Sequence, residues 1–230
     1  MHHETSQARN GRVGAMIALE AVAIVLLLAA GLLDRGGTHR PAFVMLILLA
    51  LCWPFRTGYA ERVIGLIAGI CSLTFACTGA ADAFLPQSRV DAAIGTDLIP
   101  LVQWAGCFAG LLVLLTIVSF ARQMLREERS HLIRALSHCL TGGTASVALA
   151  GWCFLPEAVE AGATAPMPLS AVVVAIAVLL VLALCTASVW WLRELDPAPE
   201  AREPWIGVAL LPVMLSGIVV FASAIALTLL

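Results

Sequence analysis

The chain contains no lysine: all thirteen of its basic residues are arginine. That absence excludes Schiff-base chemistry, and with it retinal proteins and pyridoxal enzymes. Charge is scarce altogether, at 12% of residues, against about 25% in a soluble domain. No C-x-x-C, G-x-S-x-G, H-E-x-x-H or P-loop pattern occurs, so the familiar dithiol, hydrolase, zinc-protease and nucleotide-binding chemistries have no foothold. The five histidines, His2, His3, His39, His131 and His138, all lie outside the apolar interiors. They offer neither an axial pair for haem nor the three or four ligands of a metal site, and no cofactor or metal is expected. The net charge of -2 and the scattering of arginines leave no nucleic-acid footprint.

The seven cysteines, at 52, 71, 77, 107, 139, 153 and 185, fall inside apolar stretches, and their odd number argues against a disulfide framework. They read as small packing residues, with Cys77 and Cys153 as the one outer pair left open.

What is present is hydrocarbon. The sequence is 61% hydrophobic with a mean hydropathy of +0.97. Seven apolar segments stand out: Val13–Leu33, Pro41–Phe55, Val63–Phe84, Leu98–Ala121, Cys139–Leu155, Ser170–Leu192 and Ile206–Leu230. Lipid offers no partner to a free peptide group, and no period-2 barrel pattern is visible, so the expected fold is all-α. It is a polytopic integral membrane bundle of seven transmembrane helices, with a cytoplasmic tail at 1–12 and one domain at 13–230. The fifteen residues of Pro41–Phe55 reach only about 22 Å as a helix, against about 30 Å of hydrocarbon. A full span is expected there, and a re-entrant hairpin is the alternative.

Orientation follows from the arginines. Arg122, Arg126, Arg129 and Arg134 cluster in the polar stretch 122–138, which is hard to translocate and so marks the cytoplasmic side. With seven spans, Arg9, Arg12, Arg56, Arg62, Arg193 and Arg202 join them inside, and only Arg35, Arg40 and Arg89 lie outside. The N-terminus is then cytoplasmic and the C-terminus outside, in the plasma (inner) membrane. Tryptophans at 53, 190, 191 and 205 fall near inner span ends, and those at 104 and 152 near outer ones, as interfacial indoles do. Outer loops gather Asp82, Asp91, Asp97, Glu157 and Glu160, which read as exposed loop acids.

Two internal patterns bear on architecture. Phe84-Leu85-Pro86 and Phe154-Leu155-Pro156 end spans, and Leu125-Arg126-Glu127 and Leu192-Arg193-Glu194 close the following ones. This suggests a parallel repeat of two hairpins, 63–127 and 139–194, joined by the connector 122–138. In the third span, Gly65, Gly69, Ser72, Ala76 and Gly79 recur at spacings of four and three, a small-residue stripe that lets helix backbones approach.

One acid lies within a span. Glu20 sits seven residues into the first apolar segment, about 10 Å deep at helical rise. An ionised carboxylate facing lipid is costly, so Glu20 is read as a bundle-facing proton or cation site, or as a neutral structural acid.

No catalytic residues are evident, and no polar constellation is found at headgroup depth. The expected role is a non-enzymatic membrane subunit, scaffold or accessory protein, in contact with the bilayer and with other membrane-protein subunits. A small secondary transporter or proton-coupled permease using Glu20 is the alternative, and a lipid-modifying intramembrane enzyme the weaker one.

Overall fold

A computed structural model describes residues 2–34, 36–55, 59–86, 98–125, 132–193 and 202–230, with side chains from residue 11 onward except at 132 and 193. The described residues form eight α-helices and no strand. They are α1 (His2–Leu33), α2 (His39–Leu51), α3 (Tyr59–Cys77), α4 (Ile99–Met124), α5 (Leu132–Ala148), α6 (Leu155–Thr164), α7 (Met167–Arg193) and α8 (Pro204–Thr228). Short 3-10 segments occupy Gly79–Ala83 and Leu149–Phe154. Proline opens α4, α6 and α8, where its missing N–H costs nothing.

Six stretches are long and apolar enough to cross a bilayer: Gly11–Leu33, Tyr59–Cys77, Ile99–Met124, Ile133–Thr164, Met167–Leu192 and Pro204–Thr228. The all-helical membrane bundle is therefore present, and the count of seven holds only approximately. The thirteen residues of α2 span about 20 Å at helical rise. Its contacts nonetheless run between the two ends of the bundle. Near its start, Thr38 lies by Gly31 and Leu155, while just beyond its end the Cys52 carbonyl meets Gly207 at the start of α8.

One end of the bundle gathers Glu61, Arg122, His138 and the opening of α8. It is called the basic end below. The other, acidic end gathers Asp82, Gln103, Cys77, Cys153 and Glu157.

The expected fifth span and its acid-bearing loop are corrected. No loop follows Leu155. Helix α5 tightens into the 3-10 segment, Pro156 restarts an α-helix at once, and Glu157 and Glu160 sit exposed on α6.

Helix α8 is the centre. It is apolar all round, and Val208–Met214 are essentially inaccessible, as expected of a helix buried on every side. It packs against α1, α2, α5, α6, α7 and the segment Leu149–Phe154. Pro212 lies inside it without ending it. The closest seam is backbone on backbone. A Cβ added at Gly151 would collide with the Gly217 carbonyl oxygen, and one at Gly217 with the carbonyl of Ala148. Beside this seam the Trp152 indole donates to the Val213 carbonyl at 2.9 Å. Helix α7 is peripheral by contrast, with Val172, Val174, Ile176, Leu179 and Leu182 all exposed toward the surroundings.

Three tryptophans expected near span ends turn into the bundle rather than outward. Trp53, Trp104 and Trp152 are almost wholly buried. Trp104 packs on Phe108, Phe154 and Phe221 at centroid distances of 5.0, 5.3 and 4.4 Å. Their large apolar area outweighs the interfacial preference of the indole. Trp190, 69% exposed, keeps an outward position.

Overpacking a close seam typically costs about 1–3 kcal/mol. We expect Gly151→Ala to fall at or beyond the top of that range, because a carbonyl, unlike a side-chain tip, cannot swing aside. Gly79→Ala, whose Cβ meets nothing within 4 Å, should stay within about 0.5 kcal/mol. Detergent melting of the two variants checks this; matching melting temperatures would mean the seam is open.

Candidate functional site

Buried polar groups in a membrane bundle either hold helices together or do chemistry, so they define where a site can be. At the basic end, α3 begins at Tyr59, two turns before Gly65, and carries Glu61 into the bundle. The Glu61 side chain has no exposure at all. From the last turn of α4, the Arg122 guanidinium donates its Nε–H to Glu61 Oε1 at 3.3 Å, with 38% of the Arg122 side chain exposed. Gln123, next in sequence, is 2% exposed, and its Nε2 has no hydrogen-bond partner among the described residues. One turn earlier Ser119 is also buried and lies 3.2 Å from Cys139 Sγ on α5. Stacking of His138 on Phe55 closes the cluster toward the α2–α3 connection, with centroids 4.7 Å apart.

Where the sequence offered no polar constellation at headgroup depth, the structure places the Arg122–Glu61 pair, with buried Gln123 next to Arg122 in the chain. Glu61 was readable in principle. It stands four residues before Gly65, so it continues the same small-residue face of α3 by one turn. Its position just ahead of the apolar run hid it among loop charges.

Glu20 lies elsewhere at this end. It is 3% exposed and its carboxyl meets Ser188 and Cys185 on α7. The Ser188 hydroxyl also donates to the Cys185 carbonyl at 2.6 Å. Met16, one turn before Glu20, packs with Val208 and Ala209 of α8. The structure therefore separates the two acids, one between α1 and α7 and the other between α3 and α4.

The small-residue stripe divides. Gly65 has Trp53 and the Cα of Gly143 nearby, a Cβ at Gly69 would stand 3.0 Å from the Ser146 carbonyl, and Ser72 donates to the Val147 carbonyl at 2.8 Å. These three join α3 to α5. Ala76 is half-buried against the core, while Gly79 has left the helix and is exposed. Of the basic cluster, Arg122 has its acid and Arg134 is exposed at the start of α5; Arg126 and Arg129 lie outside the described residues. Among the described residues no group of three or more potential ligands could hold a metal ion.

Removing one partner of a buried ion pair costs about 3–5 kcal/mol. Arg122 is partly in water, so Arg122→Ala should cost less, about 1–3 kcal/mol. Adding Glu61→Leu should recover much of that loss, since no buried carboxylate is then left behind. Strictly additive losses in this double-mutant cycle would show that the two side chains do not support one another.

Compared with protein-family models, curated proteins and solved structures, the chain matches none of them.

Proposed function

We propose that this chain is a non-enzymatic component of the plasma (inner) membrane, a subunit, scaffold or accessory protein that works through its helix surfaces in the bilayer and against other membrane-protein subunits. The observation that carries this reading is the solid centre of the bundle. Val208–Met214 are buried on every side, and α8 meets the 3-10 segment Leu149–Phe154 backbone to backbone at Gly151 and Gly217. A transported solute would need a polar path through that region. The polar groups near it are instead spent as helix cross-links, Trp152 to Val213 and Ser72 to Val147.

In this reading the N-terminus is cytoplasmic, the C-terminus outside, and the basic end faces inward. Reporter fusions after Ala161 and Leu230 should then be active in the outer compartment, and one after Ser130 in the inner. A cytoplasmic C-terminus would remove α2 as a full span.

Glu20 favours a second reading, a small proton- or cation-coupled transporter. An intramembrane acid against a hydroxyl and a thiol is a default relay candidate. Two measurements separate the readings. Under the first, gentle-detergent extracts should yield a defined assembly larger than the 24.2 kDa chain, and Glu20→Gln should leave it intact. Under the second, liposomes holding the purified chain should dissipate a pH gradient, and Glu20→Gln should abolish the flux while preserving the melting temperature. A monomer with Glu20-dependent flux would overturn the subunit reading.

A further inference from the structure

Cys77 and Cys153 are 76 residues apart in sequence, yet their Sγ atoms stand 3.3 Å apart at the acidic end. Cys77 is the last residue of α3 and Cys153 belongs to the 3-10 segment Leu149–Phe154. Both are free thiols. A disulfide needs about 2.05 Å between sulfurs, so the pair must close by roughly 1.3 Å. The backbone beyond Cys77 can give: α3 ends there, Thr78 turns extended, and Gly79 stands in open space. The remaining thiols are placed differently. Cys52, Cys107 and Cys139 are buried, Cys139 facing a serine hydroxyl, while Cys71 and Cys185 are half-buried, Cys185 against Glu20.

We propose that Cys77 and Cys153 form a redox-active disulfide site, oxidised by thiol–disulfide exchange with a protein or small-molecule disulfide of the outer compartment. The proposal rests on the orientation that puts the acidic end outside, where thiols meet oxidising partners. Cys77 is exposed and Cys153 half-buried, so Cys77 meets the external disulfide first. Its thiolate attacks one sulfur of that disulfide, forming a mixed disulfide and expelling one thiolate. The Cys153 thiolate then attacks Cys77 Sγ and expels the second. Two cysteine thiols are oxidised, one external disulfide is reduced to two thiols, and both protons leave with the products. The bond ties the end of α3 to the segment that grips α8, closing a long loop that includes α4 and α5.

The test uses the full chain in its own membrane. Thiols are trapped at harvest with N-ethylmaleimide in denaturing detergent, so that the buried cysteines are blocked as well, and the protein is then reduced and labelled with a maleimide mass tag. Wild type should take two tags, one for each cysteine of the pair, and Cys77→Ser or Cys153→Ser should take none. A Cys52→Ser control should still take two. Purified protein treated with oxidised glutathione should close the same pair and melt higher than after reduction, a difference absent from both pair variants. No tags in wild type would overturn the proposal. If oxidised glutathione nevertheless closes the pair in that case, the geometry is right and the compartment, hence the orientation, is wrong. If it does not, the sulfurs cannot meet, and the orientation is untouched.

Discussion

Close backbone contact between Ala148–Trp152 and Gly217 is the constraint on which the rest of the bundle depends. Lipid tails are as apolar as leucine, so two helices gain little by merely hiding hydrocarbon from one another. They gain by approaching until dispersion and dipole contacts become dense. Glycine at 151 and 217 permits that approach, and the Trp152 indole fixes the register by reaching the Val213 carbonyl. The Val213 carbonyl also accepts from the Ser216 hydroxyl at 2.7 Å. With α8 gripped from this side, α1, α2, α6 and α7 have a surface to pack on, and the aromatic group of Trp104, Phe154 and Phe221 fills the remaining volume. The tightening of α5 into a 3-10 segment occurs at this seam and nowhere else along the rod from Leu132 to Thr164.

Polar atoms divide the labour. Most buried hydroxyls return to their own helix, as Ser146 does to Gly142 and Ser188 to Cys185. Such bonds satisfy the group but carry no information about neighbours. Among the described residues, bonds between elements include Ser72 to Val147, Trp152 to Val213, Gln103 to Asp82 and Leu85, Arg122 to Glu61, and Ser119 with Cys139, and each specifies a packing. Together they pin α3 to α5, α5's continuation to α8, and both ends of α4 to α3 and the turn beyond it.

The sequence carried the class of fold because hydropathy over some twenty residues is a sum, insensitive to detail. It carried the Gly65–Ser72 face because small residues at helical spacing have few other uses inside lipid. It failed where two segments compete for one residue. The tryptophans could serve the interface or the core, and only the shape of the inter-helix space decides. Glu157 and Glu160 look like loop residues because they are acidic, yet Pro156 at a helix start keeps the chain helical through them. The approach of Cys77 to Cys153 joins positions 76 residues apart; their shared place at outer span ends left the pair open in the sequence, and only the packing brings the sulfurs together. Glu61 was the nearest miss, one turn from a face already recognised.

The two buried acids differ in what surrounds them, and that difference orders what each can do. Glu61 has a guanidinium at 3.3 Å. That bond occupies one carboxylate oxygen, and a cation entering there would have to displace an arginine first. Such a pair orients helices well and exchanges ions badly. Among the described residues Glu20 meets a hydroxyl and a thiol, neither of which carries a compensating charge, and its Oε1 has no hydrogen-bond partner there. No described side chain supplies Glu20 with a countercharge, which leaves room for a proton or an exchanging ion there. The proposed transporter reading therefore rests on Glu20, while the Arg122–Glu61 pair ties α4 to α3.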